Sequence, residues 1–135
     1  MASELKVNTL TGVSTAGSIA VTAEGNSTTT NLQQGLAKNW FIINATDGSL
    51  RDSFNIASAA DNGTGSFTQT FTNAMNSGTY SFVAMAGHND NTEPDASITV
   101  MHKTTTDGTR VRIHNASGSE VDEQDCCGLS MGDLA

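Results

Sequence analysis

The sequence has little positive charge and no long apolar run. Of its 135 residues, six are Lys or Arg and 14 are Asp or Glu, which gives a net charge of −8. A nucleic-acid interface needs clustered cations that displace counterions from phosphates, and an anionic membrane surface attracts cations in the same way. No stretch approaches the roughly 20 apolar residues of a membrane span. We therefore expect neither nucleic-acid binding nor membrane insertion.

Aromatic residues are scarce at 5%, and charged residues make up only 15% of the chain, below the roughly 25% that is typical of soluble domains. Thr, Ser, Asn and Gly take their place, in runs such as residues 27–30 and 104–106. Thr is β-branched and favours strands, whereas Gly and Asn favour turns. The composition indicates a β-rich chain whose hydroxyl and amide groups suit hydrogen bonds between subunits. It is less typical of a monomeric helical enzyme.

Only two cysteines are present, Cys126 and Cys127, and they are adjacent. A disulfide between neighbours closes a strained ring and would stabilise the fold little. A zinc site needs about four ligands, and the sequence offers no CxxC partner. The first residues lack a basic segment followed by an apolar one, so we expect no signal peptide and two free thiols in a protein made in a cytoplasm.

Residues 1–38 differ from the rest of the chain in their pattern of apolar residues and glycines. Short apolar alternations are broken by glycines, and each is too short to bury itself. Residues 31–38 are the only helix-like stretch, with Leu32 and Leu36 on one face. We predict an extended N-terminal anchoring or trimerisation segment that ends in one short linker helix. A floppy leader with two edge strands is the alternative.

From residue 39 to residue 135, strand-like segments recur at intervals of roughly 8–15 residues, which is typical of a sandwich or small barrel. Asn62-Gly63 predicts a tight hairpin with positive φ at both central positions. The connections are too short for parallel crossovers. We predict an all-β fold, an antiparallel β-sandwich of jelly-roll-like form. The predicted strands are residues 40–43, 53–56, 66–72, 79–86, 97–102 and 109–114, with a weaker one near 126–131.

The predicted core of this sandwich is aromatic. It consists of Trp40, Phe41, Phe54, Phe67, Phe71, Tyr80 and Phe82.

No arrangement of residues meets the requirements of an active site. The chain has no GxSxG, no cysteine signature with a histidine, and no pair of carboxylates on different elements. His102 and His114 end neighbouring predicted strands and could share a metal, but ordinary polar positions are the preferred interpretation. The oxygen-rich loop from His88 to Asp95 lacks the EF-hand spacing. We expect no enzymatic activity, no catalytic or metal-binding residue and no cofactor.

Exposed loops are the remaining candidates for contact with a receptor. The residues predicted there are Asn62, Thr64, His88, Asn89, Asp90, Asn91, Thr105 and Asp107.

Three stretches carry a resemblance to a known family. They are SELKVNTLTG, STAGSI and TAEG within residues 3–25, TTNLQQGLAK and the following Trp40 within residues 29–40, and DSFNIAS, DNGTG and the strand to Phe71 within residues 52–71. Together they resemble a module of tail-fibre and other virion proteins of tailed bacteriophages, of the marine or cyanobacterial type. The resemblance implies a non-enzymatic, homotrimeric virion component with a β-rich distal domain. After His88 the chain departs from the pattern.

The expected function follows from this resemblance. We expect a short fibre, spike or fibre-tip subunit of a phage virion, assembled in the host cytoplasm, that helps to attach the particle to a glycan or protein of the host surface. The N-terminal segment would bind other tail or capsid proteins. A capsid decoration or cement protein of the same particle is the alternative. A monomeric carbohydrate-binding module would need an aromatic platform, for which the chain has few residues to spare.

Overall fold

The structure is a computed structural model that describes residues 4–12, 19–22, 29–87 and 98–135. Over these residues the chain is all-β, with antiparallel sheets, as the sequence predicts. The chain divides into two compact units, Met1–Leu36 and Ala37–Ala135. The sequence placed the boundary between residues 38 and 39.

The first unit contains one small β-ribbon. Strands β1 (Ala20–Thr22) and β2 (Thr29–Asn31) pair antiparallel, and a single helical turn, α1 (Leu32–Gly35), follows directly. The Leu32 N–H donates to the Ile19 carbonyl at 2.9 Å, which fixes the turn to the ribbon. Apolar side chains of this unit face solvent. They are Leu5 (78% exposed), Leu10, Val7, Leu36 and Val21.

The second unit contains two four-stranded antiparallel sheets, here called sheet 1 and sheet 2. Sheet 1 has the order β4-β3-β10-β7, and sheet 2 has the order β5-β6-β9-β8. The strands of sheet 1 are β3 (Ala37–Asn44), β4 (Ser49–Phe54), β7 (Ser81–Gly87) and β10 (Asp125–Met131). Those of sheet 2 are β5 (Ile56–Asp61), β6 (Ser66–Phe71), β8 (Ile98–Thr105) and β9 (Gly108–His114).

The apolar run at residues 40–43 forms β3, but its side chains alternate between two environments because successive residues of a strand point to opposite faces. Phe41 and Ile43 are buried, whereas Trp40 and Ile42 are more than a third exposed. The prediction of Trp40 as a core residue is therefore wrong. Phe54, which lies opposite Trp40 on β4, is 52% exposed and was also wrongly predicted.

Both sheets contribute to one core. The ring of Phe41 packs edge-on against Phe67 of sheet 2 at 6.1 Å between centroids and stacks on Phe82 at 6.2 Å. Gly128 lies directly across from Phe41 on β10, and a Cβ there would lie 2.7 Å from the Phe41 ring. The glycine therefore makes room for the ring. The buried cluster comprises Phe41, Ile43, Ala45, Phe67, Val111, Ile113 and Cys126.

The predicted strand at residues 53–56 is two strands separated by a corner at Asn55. Asn55 has a φ of 59°, a left-handed conformation that Asn tolerates better than most residues. Its side-chain amide donates to the carbonyls of Lys38 at 2.9 Å and Asn73 at 3.1 Å, and its Oδ1 accepts from the Asn73 N–H at 2.8 Å. At this corner the chain leaves sheet 1 and enters sheet 2.

The weakest predicted strand is a central one. β10 lies between β3 and β7 and pairs with both along most of its length. Its buried positions are Cys126 and Ser130, while the apolar Leu129 and Met131 point outward. The large apolar residues of β10 thus lie on the exposed face and only small residues are buried, which explains why the sequence indicates the strand so weakly.

Within the described ranges, no helix is both long enough and apolar enough to cross a membrane.

Candidate interaction surfaces

Hydrogen bonds between loops define two ends of the second unit. At the entry end, where β3 begins, Asn55 contacts Lys38 and Asn73, and the Phe71 N–H donates to the Asp107 carbonyl at 2.8 Å. The opposite end, here called the far end, contains the turns at residues 44–49 and 61–66 and the segment at residues 114–125.

At the far end these three connections hold one another. The Ala45 N–H donates to the Glu123 carbonyl at 3.1 Å, and the Gly65 N–H donates to the Asp122 carboxylate at 2.6 Å. A Cβ at Gly48 would lie 2.7 Å from the backbone nitrogen of Asp61, so the first two turns are in close contact. The far end is therefore a braced surface built from both sheets.

Two of the predicted contact residues, Asn62 and Thr64, are exposed at this far end. The turn that carries them is not the predicted two-residue hairpin, because four residues separate β5 from β6 and the positive φ angles belong to Gly63 (104°) and Gly65 (65°). The Asn62 N–H donates to the Ser66 carbonyl at 2.8 Å, and the Asn62 amide donates to the Thr68 hydroxyl at 2.8 Å.

Two others, Thr105 and Asp107, lie at the entry end, in and beside the β8–β9 hairpin. The Thr105 hydroxyl donates to the Gly108 carbonyl at 3.1 Å, and the Asp107 carbonyl accepts from Phe71. The predicted contact residues therefore do not form one surface. His88, Asn89, Asp90 and Asn91 lie outside the described residues.

The acidic residues of the far end are partly neutralised by Arg side chains. Arg51 forms an ion pair with Asp125 and donates to the Gln124 carbonyl at 3.0 Å. Arg112 forms an ion pair with Glu120 at 2.7 Å. Hydrogen bonds from the Ser49 hydroxyl and N–H lower the pKa of the exposed Asp47.

The histidines do not form the pair that the sequence allowed. His114 lies opposite Ile98 in the β8–β9 ladder, while His102 falls at the irregularity between Met101 and Lys103. The two residues are therefore several positions apart along the sheet. No group of three or more potential metal ligands occurs in the part of the chain that the structure describes.

The adjacent cysteines are both free, and they point to opposite sides of sheet 1. Cys126 is fully buried in the core cluster, whereas Cys127 is exposed. Burial, with a smaller contribution from the neighbouring Cys127, raises the pKa of Cys126 from 9.0 to about 12. A thiol held in its neutral form is a poor nucleophile, so Cys126 acts as a small apolar core residue.

We expect the stability of the second unit to fall between pH 9 and pH 12 because of Cys126. The folded chain keeps the thiol proton up to a pKa of about 12, whereas the unfolded chain loses it near 9.0. Unfolding then releases a proton, so stabilisation that is complete below pH 9 is lost as the pH rises, by about 4 kcal/mol in total. Urea unfolding measured at successive pH values tests this.

Cys126→Ala and Cys127→Ala are the matched variants for that experiment. Tyr80, whose pKa burial also raises, is present in both and contributes equally. Cys126→Ala is expected to flatten the alkaline decline, and Cys127→Ala is expected to keep most of it. An unchanged slope in Cys126→Ala would contradict the assignment.

The outer face of sheet 1 is a continuous apolar surface, here called the apolar face. Leu129 lies directly between Trp40 and Val83, and Phe54 lies beyond Trp40. One step along the strands, Cys127 lies between Ile42 and Met85. The exposed fractions are Met85 70%, Val83 59%, Phe54 52%, Leu129 39%, Ile42 38%, Met131 38% and Trp40 36%.

Sequence reasoning assigned Trp40 and Phe54 to the core and did not find this face. The available signal was the continuous apolar run at residues 40–43 of β3. Such a run is typical of a strand that is covered on both faces rather than on one.

On strands β6 and β9, the outer face of sheet 2 is polar by contrast. Thr68 lies opposite Arg110, and Ser66 lies opposite Arg112. The Arg110 guanidinium donates to the Ser66 hydroxyl from both Nε and Nη2 at 3.1 Å.

Comparison with known proteins returned no match: no protein-family model, no curated protein and no solved structure is similar to this chain at a significant level.

Proposed function

We propose that this protein is a non-enzymatic structural subunit of a bacteriophage virion, a short fibre or spike protein that assembles as a homotrimer. The observation that carries the proposal is the amount of apolar surface left in solvent, on the N-terminal unit and on the apolar face of sheet 1. Contiguous exposed apolar patches of this kind mark interaction sites. The motifs at residues 3–71 that resemble virion proteins of tailed phages support the particle as the setting.

The second unit fits the β-rich distal domain that the resemblance implies. Two four-stranded antiparallel sheets with one shared core are consistent with a β-sandwich. We propose a jelly-roll-like form only in part. In a jelly roll, consecutive strands mostly cross between the sheets, whereas here three consecutive pairs are hairpins that stay within their own sheet: β3–β4, β5–β6 and β8–β9.

The far end of the second unit, where Asn62 and Thr64 are exposed, is the surface that we propose contacts the host. Its exposed amides, hydroxyls and carboxylates suit hydrogen bonding to glycan hydroxyls or to a polar protein surface. Thr105 and Asp107, at the entry end, are not part of this proposed contact.

Cryo-EM of the phage particle, combined with an antibody against the full chain, tests the proposal. Density for three copies at the tail supports a fibre or spike. Density on capsomers supports the alternative, a capsid decoration protein. Absence of the chain from purified particles would overturn the virion assignment.

Sedimentation equilibrium of the purified full chain tests the stoichiometry separately. A mass of three chains, near three times 14.0 kDa, is expected at micromolar concentration. A monomer throughout this range would overturn the homotrimer.

A further inference from the structure

We propose that the apolar face of sheet 1 is the surface on which further copies of this chain pack, so that it turns toward the axis of the oligomer. This inference rests on the proposed function, because it takes the partner to be another copy of the chain. It goes further by naming the surface through which the copies meet. It is independent of the N-terminal unit, to which the sequence assigned trimerisation.

The size of the face supports a stable contact. From the exposed fractions of its seven large side chains, with roughly 150–250 Å² for a large apolar side chain, its apolar area is on the order of 600 Å². The largest patch of a typical monomer is about 300–600 Å², and each partner in a standard stable interface buries about 800 Å². The face is thus near the upper limit for a free surface and near the lower limit for an interface.

Charge permits a second copy as the occupant. Each chain carries a net charge of −8, so copies repel where their acidic ends approach. The cross-strand rows of the apolar face include a single charged residue, Asp52 on the edge strand β4. This face is therefore where two like-charged chains can meet at the smallest electrostatic cost. It offers no charge that would select an acidic or a basic partner.

The width of the face suits the sheet of another copy. Four strands spaced about 4.8 Å apart span about 14 Å between the outer two, and a four-stranded sheet of another copy has the same width.

Cys127 provides a direct probe, because it lies in the middle of the face and is exposed in the single chain, while Cys126 is buried. Maleimide labelling of the native full chain is measured across a range of protein concentrations, with the mass measured in parallel. We expect Cys127 to label readily when dilute and to be protected roughly a hundredfold in the oligomer. The control is Cys127→Ser with Thr70→Cys, which places the thiol at an exposed strand position of sheet 2 and is expected to label at every concentration.

A charge-insertion pair tests the same face without labelling. Val83→Glu with Met85→Glu adds two carboxylates to the face, and the dissociation constant of the oligomer is expected to rise roughly a hundredfold or more. Ala60→Glu with Thr70→Glu adds the same charge at exposed positions of sheet 2 and is expected to leave the mass unchanged. Circular dichroism confirms that each variant is folded.

The outcomes separate the two proposals. An oligomer in which Cys127 labels freely and Val83→Glu with Met85→Glu has no effect would overturn the interface and leave the oligomer standing. A monomer at every concentration would overturn both. Protection of Cys127 in a monomer, or protection only within the phage particle, would mean that the N-terminal segment or another virion protein covers the face, and would overturn a second copy as its occupant.

Discussion

Phe41→Ala is expected to lower the free energy of unfolding of the second unit by about 3–5 kcal/mol, the usual cost of removing a buried Phe. Phe41 is 1% exposed and joins the two sheets through its contacts with Phe67 and Phe82. Removing the ring leaves a cavity above Gly128, which has no side chain to fill it. Since whole domains are stable by only about 5–15 kcal/mol, this loss is a large fraction of the total stability. Urea unfolding at low protein concentration measures the change.

Phe54→Ala is the control for this prediction, because it removes the same ring from the outer side of the same sheet. Phe54 is 52% exposed, so the expected loss is below about 1.5 kcal/mol. Equal losses in the two variants would contradict the assignment of inner and outer faces.

Gly108→Ala is expected to cost about 3 kcal/mol or more, although it adds only one methyl group. A Cβ at this position would collide with the backbone carbonyl oxygen of Gln69 on the neighbouring strand. Because that oxygen belongs to the backbone of β6, it cannot move without separating the β6–β9 pair at Thr70. The Gly108 carbonyl also accepts a hydrogen bond from the Tyr80 hydroxyl at 3.0 Å, which would shift with it. The cost of overpacking a rigid site is therefore at the upper end of its usual range.

Gly87→Ala is the matched control at the end of β7. No atom of the described residues lies within 4 Å of a Cβ at Gly87, and its φ is not positive. We expect its stability to stay within about 1 kcal/mol of the parent, because the added methyl group meets no neighbour and Ala restricts the unfolded chain. Thermal unfolding of the two variants under one set of conditions distinguishes them. If both fold as stably as the parent chain, the close approach of β9 to β6 is wrong.

The sequence predicts the fold class well because its local signals agree. The spacing of the apolar segments places β6, β7 and β9 close to where the structure has them. The features that the sequence predicts poorly depend on contacts between distant parts of the chain. A strand alternates in the same way whichever face is covered, so the sequence placed Trp40 and Phe54 in the core although both are on the exposed side of sheet 1. The corner at Asn55 is held by contacts 17 and 18 residues away, which no local pattern contains.

The candidate surfaces are harder to predict than the strands. Asn62 and Thr105 are similar as residues in polar turns, and only the antiparallel order of β5, β6, β9 and β8 places them at opposite ends of sheet 2. The apolar face is built from four strands that are distant in sequence, and it exists only once Leu129 is placed between Trp40 and Val83. The register of β10 therefore creates the surface that we propose as an interface.

The central position of β10 also sets the order in which the molecule can be made. A ribosome releases β3 more than 80 residues before β10, and until residue 131 has emerged, β3 and β7 have no strand between them. Contacts of such long range close slowly. During synthesis the facing edges of β3 and β7 therefore stay unpaired, while a polysome holds many identical chains close together. In the proposed oligomer, assembly and completion of the subunit depend on the same late event, because the strand that closes sheet 1 also supplies the middle of its outer face.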